Sequence, residues 1–435
     1  MKKAFLILVL AVFAGSMVFA MPGQETSSAS ANTVRWSFWG GETRIRNYQL
    51  TNDIFFTETG IVIAGEPAPG TGDHFNKFFT QFRGGGAADI IQLGGTFSNL
   101  NLSDNNRSAP GIENILMPLD QFVRSGILDV SNVDGAALAA GTRDGVLYAI
   151  SAGGNMPALV YNRSLLERVG APLPAVDMTW TQFDLWLAAV QARLPSGTYV
   201  LTDFGSTATS SMFLGYWAGD NGTPVWDGTR TNLTNTAVIA YLTRWSGYRT
   251  AGLIPPAEVA AQYSEDNAAN SSLIAGRTAV TLVYSNGLVD YQGMTTDTLD
   301  LIMLPNATVS KGLWPQTSQM MGININSKNA QNAAKYINFR LNDPRVWTIM
   351  GADPGIPVTP ATRAAISASA NDVTKKILAY LDIAGRNSSA ASPNMPNDTQ
   401  WNSELHLIYT RVANGQVNII TASQQIMDLI TRLTR

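Results

Sequence analysis

The sequence predicts an α/β protein of two lobes, and three observations carry that expectation. Short apolar runs of strand length alternate with amphipathic stretches of helical period from residue 34 to the C-terminus. Such alternation builds layered sheets, expected here to be largely parallel. The chain has 435 residues, more than one ordinary core organises, and after residue 32 it shows neither a long linker nor an internal repeat. Two lobes must then be joined by several crossings of the chain rather than strung in a line.

The elements follow in order. Val34–Trp39 alternates as a strand and runs into Gly40-Gly41, then Glu42 and Arg44. Asn47–Thr59 reads as a helix and Gly60–Ala64 as a short strand. Phe75, Phe78, Phe79 and Phe82 recur at i, i+3, i+4 and i+7, the stripe of a helix that Gly84–Gly86 ends. Ala88–Leu93 is a short buried strand and Leu119–Gly126 a helix. Gly145–Ser151 and Met156–Asn162 are strands. Thr179 and Gln182 have capping-box spacing ahead of Phe183, Trp186, Leu187 and Val190. A helix over Thr236–Gly247 precedes strands at Ala279–Tyr284, Leu299–Leu304 and Gly322–Ile325. Ser327 opens a helix that Asn342-Asp343-Pro344 closes, and Thr421 with Gln424 marks a second capping box before the last helix.

Composition bounds the function. Apolar residues make up 45% and charged residues 14%, with a formal charge of −3. No basic patch is present to neutralise phosphates, so nucleic acid is set aside. The chain has no cysteine, which excludes disulfides, thiolate zinc sites and cysteine nucleophiles. Lys2-Lys3, the apolar stretch Ala4–Val18 and the small residue at Ala20 form a signal-peptide pattern, with residues 21–32 as a flexible linker. Cleavage after Ala20 removes two lysines and no acid, leaving the mature charge at −5. Without a cysteine to acylate there is no lipid anchor, and an exported protein so made is retained between two membranes. A periplasmic location is therefore expected. The Asn-x-Ser/Thr sequons at Asn101, Asn232, Asn306 and Asn387 read as chance in a chain rich in those residues.

Enzymatic motifs are scarce. His74 and His406 are the only histidines and neither has metal-ligand spacing around it. There is no G-x-S-x-G elbow, and the glycine clusters lack the lysine of a P-loop. No metal, cofactor or catalytic group is expected. Aromatic residues remain: ten Trp and thirteen Tyr exceed what a core alone usually asks for. A sugar presents flat C–H faces and a rim of hydroxyls, which call for Trp or Tyr platforms and for Asp, Glu, Asn or Arg around them. Trp39 stands at a strand's C-terminal end, where α/β sheets hold ligands. Gly41 lets backbone approach, and Glu42 and Arg44 supply rim partners. Trp39 as a core residue beside two solvated charges is the competing reading, and strand position alone leaves both open.

The segments "VRWSFWGGETR", "ADIIQLGG", "LMPLDQFVRSGILDVS", "GVLYAISAGGNMPALVYNRSLLERVGAPLPAVDMTWTQF", "LIAGRTAVTLVYSN", "GININSKNAQNAAKYINFRLNDPRV" and "GIPVTPATR" occur in that order. Together they resemble the extracellular solute-binding proteins of carbohydrate ABC importers, the maltose-binding-protein-like class, across nearly all of residues 33–435. The resemblance implies a two-lobed periplasmic binding protein fold, type II-like, with a hinge of three crossings near Ala149, Ser318 and Thr362. Residues 33–149 with 318–362 would form one lobe, and 150–317 with 363–435 the other. It also implies a carbohydrate ligand, ABC permease subunits as partners, a monomer and no catalysis. Carried over residue by residue, its ligand contacts fall on Trp39, Gly41, Glu42, Arg44, Gln92, Asn155, Tyr284 and Asn286. Trp401, in a Pro/Asn-rich loop before a helix, and Trp314, ahead of the second crossing, complete the set.

Structural roles compete at several of these positions. Asn155 and Asn286 could cap turns, and Trp401 could be a hydrophobic staple. Trp180, Trp186, Trp217, Trp245 and Trp347 are assigned to packing. The second-lobe stretch around residues 205–222 matches no contact. A secreted carbohydrate-active enzyme, needing two cleft carboxylates ~5–9.5 Å apart, and a receptor for a non-sugar solute are the alternatives. Between neutral and acidic sugars, the net negative charge favours the neutral, with Glu42 and Arg44 acting as a pair; an acidic ligand would instead engage Arg44 alone.

Overall fold

The computed structural model describes residues 32–94, 112–151, 153–205, 210–265, 267–306, 312–389 and 395–434. The signal-peptide pattern, nearly all of the linker and part of the second-lobe stretch (206–209) lie outside them. The strands in chain order are β1 (Thr33–Trp39), β2 (Val62–Ala68), β3 (Ile90–Leu93), β4 (Thr142–Arg143), β5 (Val146–Leu147), β6 (Ala149–Ser151), β7 (Gly153–Asn155), β8 (Pro157–Asn162), β9 (Tyr199–Leu201), β10 (Thr278–Tyr284), β11 (Leu299–Ile302), β12 (Gln316–Thr317), β13 (Met320–Ile323) and β14 (Ile356–Pro357). One sheet runs β2-β1-β3-β13-β6, a second runs β11-β8-β10-β9, and a small third sheet runs β12-β7-β14.

The two larger sheets are mixed rather than largely parallel. β1 pairs parallel with β2 and β3, and β10 parallel with β9. β13 runs against β3 and β6, and β8 against β10 and β11. The reason is connectivity. β13 follows β12 and β8 follows β7, so each enters its sheet from the small third sheet. Their neighbours run toward that sheet instead, and every antiparallel pair in the two larger sheets contains one of the two returning strands. Met320, at the start of β13, therefore faces both Leu93 and Ser151, and Tyr284, at the end of β10, faces Pro157. The C-terminal ends of β1, β3 and β6 on one side, and of β9, β10 and β11 on the other, point to the same junction.

Each large sheet has its own core. Trp36, Phe38, Tyr48, Phe55, Tyr336 and Trp347 pack on the first, with a phenylalanine cluster (Phe75, Phe78 and Phe79) on its opposite face. Trp180, Phe183, Phe213, Tyr241, Trp245 and Ile426 pack on the second. The five tryptophans assigned to packing are all buried. Between the cores, β7, β12 and β14 pair antiparallel as three chain crossings lying side by side. Gly355 enters β14 with φ +98°, and a Cβ there would meet Gly154 O at 2.7 Å and Asn155 Oδ1 at 2.8 Å. Only glycine accepts both that backbone and that approach.

Several element boundaries differ from expectation, most clearly at helix starts. The first helix is Glu42–Thr59, five residues longer at its start. The capping box at Thr179 and Gln182 forms as predicted, but the last helix begins at Ile419 under an Asn418 cap, and Gln424 bonds Asp428. The helix expected from Ser327 begins at Ala330; Ser327 Oγ accepts the Asn329 backbone N–H one step earlier.

Candidate ligand-binding site

The junction is built from the end of β1 upward. β1 stops at Trp39, and Gly41, in extended conformation, is the N-cap of the helix Glu42–Thr59. On that helix Arg44, Tyr48, Thr51, Asn52 and Phe55 are the buried residues, spaced as one face. Arg44 heads the stripe, so its side chain turns inward. Its stem lies over Gly40, where a Cβ would come within 2.5 Å of Arg44 Cδ. Gly40 thus admits the arginine, and Gly41 turns the chain into the helix.

Inside, Arg44 Nε donates to Asp353 Oδ2 at 2.8 Å and Nη2 to Oδ1 at 2.5 Å, while Nη1 reaches Trp39 O at 3.3 Å. Burial alone would lower the pKa of the guanidinium. The charge and hydrogen bonds of Asp353 outweigh that and hold it above its ordinary pKa. Asp353 belongs to the third crossing, just before β14. Its backbone oxygen accepts from Asn286 Nδ2 at 2.8 Å, so the loop after β10 joins the same knot. Asn286 holds the N-cap position of the helix Gly287–Gly293, but its side chain leaves the cap to make this bond. Asp290 on that helix has its pKa raised, by desolvation first and then by the Asp353 charge, with Arg44 opposing. Asp290 itself is exposed.

Beside the ion pair lies a band of uncharged polar groups. Tyr48 Oη donates toward Gln92 Oε1 at 3.5 Å and Gln319 Oε1 at 3.4 Å. Gln92, near the C-terminal end of β3, is buried with Nε2 lacking a partner, and Asn155 on β7 is buried with Oδ1 lacking one. His74 Nε2 donates to Gln92 O at 2.8 Å, which leaves Nδ1 to accept from Ser37 Oγ at 3.2 Å. The half-buried Trp39 ring rests on His74 and Phe75, at centroid distances of 5.1 and 6.0 Å. Its position, at a strand end with a partly open ring, suits a platform for a flat ligand.

The model of the family described as bacterial extracellular solute-binding protein matches residues 44–344. The chain belongs to that family. Membership in an extracellular family makes it an exported solute-binding protein, and among the described residues no helix is long and apolar enough to cross a membrane. Solved structures agree in fold. A periplasmic solute-binding protein of Pectobacterium atrosepticum matches with TM-score 0.78 at 16% identity over 93% of this chain and 100% of its own. A periplasmic oligogalacturonide-binding protein of Yersinia enterocolitica, in complex with saturated digalacturonic acid, matches at 0.75 and 21% over 93% and 100%. An ABC substrate-binding protein of Listeria monocytogenes, in complex with cycloalternan, matches at 0.73 and 16% over 92% and 98%.

The remaining expected contacts of this solute-binding protein are scattered. Gly41 and Glu42 are exposed at the helix start, and Glu42 makes no ion pair with Arg44, which is committed to Asp353. Tyr284 is half-buried at the end of β10, beside Pro157. Trp314 is half-buried before β12 and donates from Nε1 to Gln316 Oε1 at 3.0 Å. Trp401 does not lie in a loop. It occupies the first turn of the helix Asp398–Ala413 and is 3% exposed in the second core, so no face of its ring is open. An indole one turn into an amphipathic helix is held by the packing that orients that helix. Of the expected set, Trp39, Arg44, Gln92, Asn155 and Asn286 meet around the junction. Tyr48, Asp290, Gln316, Gln319 and Asp353 join them without having been singled out from the sequence, as does His74, which was weighed only as a metal ligand. For Tyr48 a signal was present, four residues after Arg44 on the same helical face. For Asp353 there was a weaker one, an acid between glycines ahead of a proline turn.

Proposed function

We propose that this solute-binding protein captures a sugar or oligosaccharide between its lobes and delivers it to the permease of an ABC importer, without catalysis. The observation that carries the reading is the half-open Trp39 ring at the end of β1, beside a band of carboxamides and hydroxyls reaching Gln92 and Asn155. That pairing of a flat apolar platform with uncharged donors and acceptors is what a sugar ring requires. The family relatives that hold digalacturonic acid and cycloalternan support it.

On this reading residues 33–149 with 318–362, and 150–317 with 363–435, move as two bodies about β7, β12 and β14. The mature protein starts after Ala20, works in the periplasm as a monomer without a lipid anchor, and presents its closed form to the permease. Thermal melting against a panel of sugars tests the reading. A sugar at 100 times its dissociation constant adds about 2.7 kcal/mol to stability. A panel in which no sugar raises the melting temperature, while a non-sugar solute does, would replace the carbohydrate with that solute. Solution scattering with the bound sugar should show a smaller radius of gyration, and an unchanged one would remove the closing motion.

A further inference from the structure

We infer that, given the sugar reading of the site, the cleft selects a neutral sugar and rejects its uronate counterpart, because the guanidinium at the junction is already engaged by an internal carboxylate. The fold does not decide the matter, since one relative of this fold holds digalacturonic acid and another cycloalternan. The residues of this chain do.

Arg44 is the cation placed to meet a ligand acid beside Trp39. Its Nε and Nη2 are both taken by Asp353, at 2.8 and 2.5 Å, and Nη1 is turned to Trp39 O. The pair is 8% and 5% exposed at the side chains, so the edge that best fits a carboxylate is sealed. A ligand carboxylate would compete with a tethered one already in bidentate geometry. It would also meet two acids, Asp353 and Asp290, grouped about that one arginine. The other buried cation nearby, Arg340, sits behind the Tyr48 ring, 4.5 Å from its centroid, and is 2% exposed. It donates from Nη1 to Thr51 Oγ1 at 3.1 Å, and its Nε is buried without a hydrogen-bond partner.

Beyond these charges, the site offers a ligand a set of carboxamides. Gln92 Nε2 is a donor without a partner and Asn155 Oδ1 an acceptor without one. The half-buried Gln316 and Gln319 bring further carboxamides from the second crossing. A hydroxyl donates one bond and accepts two, which carboxamides answer in both directions, whereas a carboxylate only accepts.

Calorimetric titration of the whole exported chain tests the inference with pairs of oligosaccharides that differ only at C6: galactose- against galacturonate-built, and glucose- against glucuronate-built. The neutral member of whichever pair binds should bind at least tenfold more tightly. Asp353→Asn, which frees the Arg44 fork, should lower that ratio several-fold. Asp290→Asn, which leaves the ion pair in place, should lower it less and serves where the first variant fails to fold. A wild type that binds the uronic member equally or better overturns the inference and leaves the sugar reading standing. Binding of neither member of any pair overturns the sugar reading, and the inference falls with it. A neutral preference unchanged in folded Asp353→Asn removes the Arg44–Asp353 pair as its cause and overturns the inference; where only Asp290→Asn folds, an unchanged preference removes the acids around Arg44 as its cause and overturns it as well.

Discussion

Arg44 and Asp353, 309 residues apart in sequence, close a bidentate ion pair where the first helix of one lobe meets the third crossing of the chain. The same Asp353 holds Asn286 of the other lobe through its backbone oxygen. One residue thus ties both lobes and the crossing together. Removing half of a buried pair strands the other charge, at a cost of about 3–5 kcal/mol. Asp353→Ala should lose stability of that order in urea denaturation. Arg44→Met combined with Asp353→Leu should lose much less, since no charge is left buried. A single Asp353→Ala variant as stable as wild type would mean that Arg44 finds another anion or water.

The crossing itself depends on Gly355. At φ +98° a side chain is strained whatever the space, and here the space is filled by Gly154 O and Asn155 Oδ1. Gly355→Ala should destabilise by about 1–3 kcal/mol. Gly41→Ala, where nothing lies within 4 Å of the added carbon, provides the matched control and should stay near wild type. Equal melting temperatures for the two variants would show that β14 shifts without cost.

How much of this was legible follows from where information sits in a sequence. Trp39 falls at the C-terminal end of β1, which local alternation marks, whereas Gln92, on the continuously buried β3, came only from the resemblance. Arg44 was found as a residue but not in its role. The first helix was started at Asn47, so Arg44 was left outside the stripe that Tyr48, Thr51 and Phe55 continue inward. Its acid lies in another segment altogether, and no spacing rule reaches across 309 residues. Trp401 was misplaced for the opposite reason. The Pro/Asn-rich stretch before it signals a loop, yet Asn397 already begins the helix, in left-handed conformation. The strand directions of β8 and β13 were hidden because alternation shows that a strand exists, not which way the chain enters its sheet.

His74 gives a pH dependence with a definite sign. It is fully buried, and desolvation pushes its pKa down to about 4. The unfolded chain takes that proton near the ordinary value of about 6.5. Between these values the unfolded state binds more protons, so stability falls as the pH drops from about 6.5 to about 4 and is complete above 6.5, a difference of at most about 3 kcal/mol. Carboxylates titrate over the lower part of the same range, so the useful measurement is wild type minus His74→Gln. The difference in unfolding free energy should shrink steadily over that window. A constant difference would show that His74 is protonated in the folded protein as easily as in the unfolded one.

Trp39 and Trp401 separate binding from packing. Trp39 is half-buried, with part of its ring resting on His74 and Phe75 and part open. Trp39→Ala should leave the fold intact and weaken sugar binding by on the order of 1 kcal/mol or more, about fivefold in the dissociation constant. Trp401, closed within the second core, has no open face to give. Trp401→Ala should cost about 3–5 kcal/mol of stability and leave the affinity of the folded fraction near wild type. Titrations of both variants below their melting temperatures, with the sugar that stabilises the wild type most, compare the two directly. Weaker binding in Trp401→Ala at unchanged stability would restore to Trp401 the stacking role that the resemblance implied. Unchanged affinity in Trp39→Ala would move the platform away from the end of β1, and the half-buried Tyr284 and Trp314 would be the next to replace.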